Sequence, residues 1–385
     1  MVLNVLINVL LLNRLTSIDF GRFSLAKTIF QSFEFSHLGS RNAFDRIFPV
    51  EKDRVRVSFL FSTGFLINLV TGILLMLMWI FQRDGDYLFY LLFIIGGQLS
   101  SSITLFRVFY RSFEDKKRFV ELSSMTILLP TIFQILGFLV YNLLGLALSY
   151  LLSYIILVFI IYYRYKVIIK VGGLLKKEYF LELLDKGFLL YLSSFLAFIS
   201  LAVDRFVIES YWSIEAVGRF SAILFFFSIF TIFSVNYTEM YMNKLVSERS
   251  LRYVARHCMV LLGLSILLII IASIILPYIL QWFMPKYIID LDNIRLVMIG
   301  VIPFSIRSIL YYYLHGMDKR KQLLIADIIS TILYFCGLVY LLLNYRTMEN
   351  IIIAKVLYYF LNLVLILFFI GVIYLERKNT NLRTN

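Results

Sequence analysis

The sequence predicts an all-α polytopic membrane protein of about twelve transmembrane helices in two pseudo-symmetric six-helix lobes. Three observations carry that expectation. Of the 385 residues, 61% are hydrophobic and 16% charged, with a mean hydropathy of +0.86; a soluble domain has no need of so much apolar surface, whereas hydrocarbon does. Apolar stretches of about 20 residues, the length of one helical crossing, recur along the chain. Gly21-Arg22-Phe23-Ser24 returns 197 residues later as Gly218-Arg219-Phe220-Ser221, and Tyr110 to Arg118 is echoed by Tyr313 to Lys321 at an offset of 203. Two echoes in the same order, at nearly one spacing, indicate a duplicated unit.

Taken in order, the helices fall near residues 1–13, 17–38, 55–81, 87–110, 119–141, 146–163, 187–208, 215–242, 253–283, 293–315, 321–343 and 350–375. Six crossings per repeat leave both repeats in one orientation, a parallel repeat about an axis normal to the membrane. The division expected is an N-lobe over 1–168, a cytoplasmic linker over 169–186, and a C-lobe with a short cytoplasmic tail over 187–385. The first segment is too short to cross alone. Either it extends through Leu15 in a thinned bilayer or the chain starts further upstream. The basic start and cleavage site of a signal peptide are missing from it.

The net charge of +13 raises nucleic acid as a partner, but its distribution argues against that. With the N-terminus inside, 26 of the 37 cations fall on inner loops, the linker and the tail, as the positive-inside rule requires. Trp79, Trp212 and Trp282 fall at the outer helix ends, where an interfacial belt belongs. The basic stretch from Arg164 to Lys186 suits an amphipathic helix on the membrane surface.

Ionisable groups inside a bilayer are costly unless they face a cavity or a partner, so they are the functional candidates. In the second helix Ser24, Lys27, Gln31 and Glu34 follow i, i+3, i+7, i+10 and share one face, with Arg22 and His37 towards its ends. That face is either the wall of a wet cavity or a buried Lys27–Glu34 pair. The equivalent face of the second repeat is Ser221, Leu224, Ser228 and Thr231, polar without charge. Arg14 and Arg22 are matched by Arg205 and Arg219; each lines the cavity or snorkels to an interface. Four further faces carry buried polar groups: Ser193, Ser200 and Asp204; Arg307, Tyr311 and His315, one turn after Pro303; Asp327, Ser330 and Tyr334; and Lys355, Tyr359 and Asn362. Glu239 is as readily interfacial.

Asp84-Gly85-Asp86 and Asp290-Leu291-Asp292 have the DxD form that holds metal in many glycosyltransferases, but each lies in a short loop and reads as turn and helix-start residues. Cys258 and Cys336 read as packed thiols. The sequence holds no nucleophile–base pair, P-loop, dinucleotide fingerprint or metal cluster, so no enzyme activity and no cofactor are expected.

The run Arg14-Leu15, Phe20-Gly21-Arg22-Phe23-Ser24, then Leu38-Gly39 and Arg41, resembles the N-terminus of the Wzx-type polysaccharide (O-antigen) flippases, of the multidrug/oligosaccharidyl-lipid/polysaccharide exporter superfamily. Asp204-Arg205-Phe206-Val207-Ile208 and Glu215-Ala216-Val217-Gly218-Arg219-Phe220-Ser221 resemble the same family at its seventh and eighth helices. The resemblance implies movement of undecaprenyl-diphosphate-linked oligosaccharide across a bacterial cytoplasmic (inner) membrane, through a cationic cavity between lobes, with both termini cytoplasmic. A polysaccharide polymerase and a chain-length regulator are the protein partners it implies, and the glycan product belongs to lipopolysaccharide or another surface polysaccharide. By position, the substrate-binding residues are Arg14, Arg22, Arg205 and Arg219; burial adds Lys27 and Arg307. Membrane potential suffices to drive an anion outward, or H⁺ or Na⁺ is exchanged on Glu34, Asp204 or Asp327. The competing classes are a drug/cation antiporter of the same superfamily, which wants an acidic cavity, and a membrane polymerase or ligase, which wants a large outer loop.

Overall fold

The computed structural model describes residues 2–81, 87–112, 116–165, 176–248, 250–317 and 319–384. Among them no strand occurs, as hydrocarbon dictates: without water, a helix satisfies its backbone polar groups within one segment. The helices are α1 (Val2–Arg14), α2 (Ser17–Ser32), α3 (Ser40–Ile47), α4 (Arg54–Phe81), α5 (Tyr87–Ser112), α6 (Lys116–Tyr165), α7 (Lys177–Phe198), α8 (Asp204–Tyr211), α9 (Ile214–Glu248), α10 (Leu251–Phe283), α11 (Leu291–Ile299), α12 (Val301–Gly316), α13 (Arg320–Asn344) and α14 (Met348–Thr384). Nine helical runs among the described residues are long and apolar enough to cross a membrane. One of these, α6, is a hairpin of two, broken where Tyr141 and Asn142 leave helical geometry (φ −131° and +50°). With α1 and α2 these account for the twelve expected helices of a multi-pass membrane protein.

Several helices are interrupted for identifiable reasons. Proline at 303 has no amide hydrogen to bond the carbonyl one turn back, and α11 gives way to α12 at Gly300. Between α7 and α8 the chain widens into a π-helical turn, Ile199–Val203. After α2 a 3₁₀ turn, Phe33–Phe35, leads to Leu38 and Gly39 at φ +42° and +94°, which reverse the chain into α3. The sequence reading had no separate helix at α3; it is short and amphipathic, with Ala43, Phe44 and Ile47 buried. Of the expected surface helix over Arg164–Lys186, residues 166–175 lie outside the described residues and 177–186 form the first turns of α7; the Asp84-Gly85-Asp86 turn also lies outside them.

The chain divides into two compact units, Met1–Ile7 with Phe23–Phe198, and Asn8–Arg22 with Ile199–Asn385. Residues 8–22, counted with the first lobe from sequence, thus group with the second unit.

In the first unit a buried polar triad joins the end of the second crossing to α4 and α5. Ser36 Oγ donates to Asn68 Oδ1 at 2.5 Å, Ser101 Oγ to the same oxygen at 2.6 Å, and Ser36 and Ser101 meet at 2.9 Å. In the second unit Ser234, Ser265 and Ser305 repeat it: Ser265 Oγ donates to Ser305 Oγ at 3.1 Å, and Ser234 shares a short hydrogen bond with Ser305. The three positions are related by 198, 197 and 204 residues, close to the offsets of the sequence echoes. Hydroxyls and amides that satisfy one another are the usual glue between helices in an apolar medium.

The repeated tetrapeptide has a structural reason. A Cβ on Gly21 would sit 2.2 Å from the Ile214 carbonyl oxygen, and one on Gly218 would sit 1.8 Å from the Ser17 carbonyl oxygen. Each copy of the motif therefore crosses the other backbone to backbone, a contact only glycine permits. Gly218→Val is expected to destabilise the protein by about 1–3 kcal/mol or more through overpacking, while Gly263→Val, where a Cβ meets nothing within 4 Å, changes little. Denaturation of the two variants in detergent micelles checks this.

Candidate functional site

One or more residues of each polar face noted in sequence meet within the second unit, while Ser193 belongs to the first. At their centre Lys355, on α14, has no exposed surface. Its Nζ lies 2.6 Å from Asp204 Oδ2 at the start of α8, and it also donates to the Ser200 carbonyl oxygen. That carbonyl belongs to the π-helical turn, where the shifted ladder frees acceptors that a regular α-helix would use. The ammonium lies 4.8 Å from the Tyr334 ring centroid and 5.7 Å from that of Tyr358, within cation–π range. Tyr334 donates its hydroxyl to Asp204 Oδ2 at 3.2 Å, and Tyr358 donates to Ser200 Oγ at 2.8 Å.

A second pair adjoins it. Arg307 on α12 donates from Nη2 to Asp327 Oδ1 at 2.7 Å and from Nε to Asn362 Oδ1. Asn362 in turn donates to Asp327 Oδ1 at 3.0 Å and to Ser330 Oγ at 2.7 Å. Tyr358, bonded to Ser200 and within electrostatic reach of both Arg307 and Asp327, bridges the two pairs. Arg205 completes the cluster: Nη1 is 3.6 Å from Asp204 Oδ1, and Nε donates to Ser221 Oγ at 3.1 Å. Three cations thus face two carboxylates. Asp204 Oδ1 and Asp327 Oδ2 are buried without a hydrogen bond among the described residues; Asp204 Oδ1 has the Arg205 guanidinium beside it at 3.6 Å.

The remaining candidates lie elsewhere. Arg219 grips Asp290 with two bonds, Nε to Oδ2 at 3.1 Å and Nη2 to Oδ1 at 2.6 Å. Asp290 is 1% exposed, so this aspartate of the second DxD tripeptide braces a helix end, as the turn reading anticipates. Arg22 stands 3.9 Å from Asp19, and Arg14, at the end of α1, is exposed. In the first unit Ser24 is buried, Lys27 half-buried with its Nζ 5.9 Å from the Phe23 ring, and Gln31 and Glu34 exposed. Glu34 acts electrostatically on Arg41 and Arg107. Burial lowers the pKa of the Arg41 guanidinium, on α3, and the Glu34 carboxylate opposes that shift. Sequence reasoning counted Arg41 and Arg107 as loop cations; the signal for Arg107 was its place three residues inside the end of its apolar segment, followed by Val108, Phe109 and Tyr110.

No protein-family profile matches the sequence, and no curated protein does. The fold does match solved structures. An inward-facing multidrug resistance MATE family transporter of the MOP superfamily has a TM-score of 0.70 at 12% identity, covering 100% of this chain and 95% of that one. An outward-facing MATE transporter of the same superfamily has a TM-score of 0.57 at 12% identity, with 96% and 88% covered. A MOP superfamily transporter from Pyrococcus furiosus, described as having a binding pocket of reverse polarity, has a TM-score of 0.59 at 14% identity, with 92% and 87% covered. The chain has the fold of these MATE-type transporters, a two-lobe twelve-helix fold, which those proteins adopt in both inward- and outward-facing conformations.

The buried pair makes a sharp expectation. Lys355→Met leaves the buried Asp204 carboxylate with only Arg205 at 3.6 Å and the Tyr334 hydroxyl, and is expected to destabilise by about 3–5 kcal/mol. Lys355→Met with Asp204→Leu removes both charges and recovers most of that loss. Denaturant titration of both single variants and the double variant measures the coupling; additive losses would show that the pair carries no interaction.

Proposed function

We propose that this protein is a flippase that moves a polyprenyl-diphosphate-linked oligosaccharide from the inner to the outer leaflet of a bacterial cytoplasmic membrane by alternating access. The observation that carries the reading is the sign of the charge within the helices. Arg205, Arg307 and Lys355 outnumber Asp204 and Asp327 in the second unit, and in the first Arg41 and Arg107 lie within electrostatic range of Glu34, with Lys27 on the same helix as a further cation. A cation exporter needs the opposite excess. The fold relative of reverse pocket polarity supports a departure from drug export on this scaffold.

The head group to be moved carries a diphosphate and many hydroxyls, so hydrocarbon rejects it. Guanidinium and ammonium groups replace its water with charge-assisted hydrogen bonds. On this reading Lys27, Arg22 and Arg14 receive the anion. Arg205 serves through its partly accessible guanidinium, whose side chain is 17% exposed, and Arg307 and Arg219 hold the scaffold's charge in place through Asp327 and Asp290. Both termini are cytoplasmic on this account, and glycan polymerase machinery receives the product. An inside-negative potential favours outward movement of an anion by roughly 2.3 kcal/mol per charge per 100 mV. Exchange of H⁺ or Na⁺ on Asp327 or Asp204 is the second route, supported at Asp327 by a buried Oδ2 that makes no hydrogen bond.

Neutralising Arg22 and Lys27 together is expected to abolish outward movement while leaving insertion intact. Leaflet accessibility of lipid-linked glycan in spheroplasts of a deletion strain reads this. Glycan trapped inside, released by the wild-type chain and not by the double variant, is the expected result; full rescue by the double variant contradicts the cationic route.

A further inference from the structure

The ammonium of Lys355 is surrounded as a bound ion would be. Neither its side chain nor that of Asp204 has any exposed surface. Its oxygen partners are one carboxylate oxygen, Asp204 Oδ2 at 2.6 Å, and one main-chain carbonyl, that of Ser200. Aromatic faces stand beside it, with the ring centroids of Tyr334, Tyr358 and Tyr359 at 4.8, 5.7 and 6.0 Å. Such faces attract any desolvated cation, whether a side chain or a free ion.

Both oxygens come from one place in the chain. Ser200 lies in the π-helical turn Ile199–Val203, and Asp204 opens α8 directly after it. A main-chain carbonyl beside a carboxylate, at an interruption of a membrane helix, is a donor set suited to a small monovalent cation. Arg205 brings a second positive group to the same turn. Its Nη1 donates to the Leu201 carbonyl at 3.0 Å and lies 3.6 Å from Asp204 Oδ1. The neighbouring Arg307 and Asp327 offset each other across 2.7 Å, so they add no net charge. The turn and its aspartate are therefore filled by cations that belong to the chain itself.

We propose that Asp204 and the Ser200 carbonyl form a monovalent-cation site whose occupant in this chain is the tethered ammonium of Lys355. The stem of the lysine delivers the charge from α14, and the filled site takes up no ion from solution. Removing the ammonium while keeping the oxygens turns the same place into a site for free sodium. The site does not depend on the flippase reading, but its consequence for coupling rests on that reading. With Asp204 closed, ion exchange falls to Asp327, or the membrane potential acts alone.

Lys355→Ala removes the ammonium and leaves the space of its stem. Thermal unfolding of the full-length chain in detergent is compared in sodium, methylammonium and N-methylglucamine chlorides at equal ionic strength. Each gain over N-methylglucamine is taken as the excess over wild type, so that an ion held at Asp327 cancels. Lys355→Ala is expected to gain about 5 °C in sodium and in methylammonium, as a ligand at about a hundredfold excess over its dissociation constant gives. Lys355→Ala with Asp204→Asn keeps the space without the carboxylate and is expected to gain nothing. A gain in methylammonium alone reduces the pair to an ordinary ion pair and overturns the site. Equal gains in the double variant, or matching midpoints of Lys355→Ala in all three salts, overturn it as well. Where Lys355→Ala is recovered folded only in sodium or methylammonium, the site is upheld; recovery in no salt overturns it. None of these readings uses transport, so the flippase reading and the cation site stand or fall separately.

Discussion

A lysine with no exposed surface, in a segment that hydrocarbon surrounds, constrains everything packed around it. Lys355 is tolerable only because Asp204, the Ser200 carbonyl and the faces of aromatic rings replace its water. The arrangement fixes the meeting of three helices, and the lysine meets the chain at its π-helical turn, on the Ser200 carbonyl. Asp204 takes three interactions at once, from Lys355, Tyr334 and Arg205, so α8 and α13 are drawn into the same knot. Arg307, Asp327 and Asn362 extend it by a second pair. A buried network of this kind contributes little net stability over an apolar core, but it is intolerant of losing a single member. That intolerance makes it a sensitive place to couple a small ion to a change of packing.

Duplication explains the scaffold, and divergence explains the chemistry. Triads built on Ser36, Asn68 and Ser101, and on Ser234, Ser265 and Ser305, hold equivalent helices in the two units. The glycines of the repeated tetrapeptide meet each other. Charge follows no such symmetry. Lys27 and Glu34 have only uncharged counterparts on the matching face of the second repeat, Leu224 and Thr231. The ionic knot, in turn, belongs to the second unit. On the proposed function, a symmetric frame with unlike halves lets substrate binding and ion exchange draw on different chemistry.

Much of this was legible from residue order. Twelve helices followed from apolar length, and the break before α12 from Pro303. The i, i+4 spacings placed Asp204, Arg307, Asp327 and Lys355 on inward faces. Their partners were not legible, because Lys355 and Asp204 are 151 residues apart and periodicity says which way a side chain points, not what it meets. The π-helical turn left no local signature in the residue order. The short helix α3 was hidden because eight residues with mixed polarity fall below the length at which a hydrophobic period declares itself. The repeated glycines were visible as a motif, and only the crossing of α2 and α9 shows what they are for.

The account stands on the sign of the transported charge. Proteoliposomes carrying the purified chain, polarised with a potassium gradient and valinomycin, allow a direct measurement of how the potential drives movement of a lipid-linked oligosaccharide between leaflets. Transport that accelerates when the potential pulls an anion across, and that ignores organic cations, is the result the cationic route predicts. Movement of organic cations with no transfer of the anionic lipid would contradict it and return the chain to the class of drug exporters.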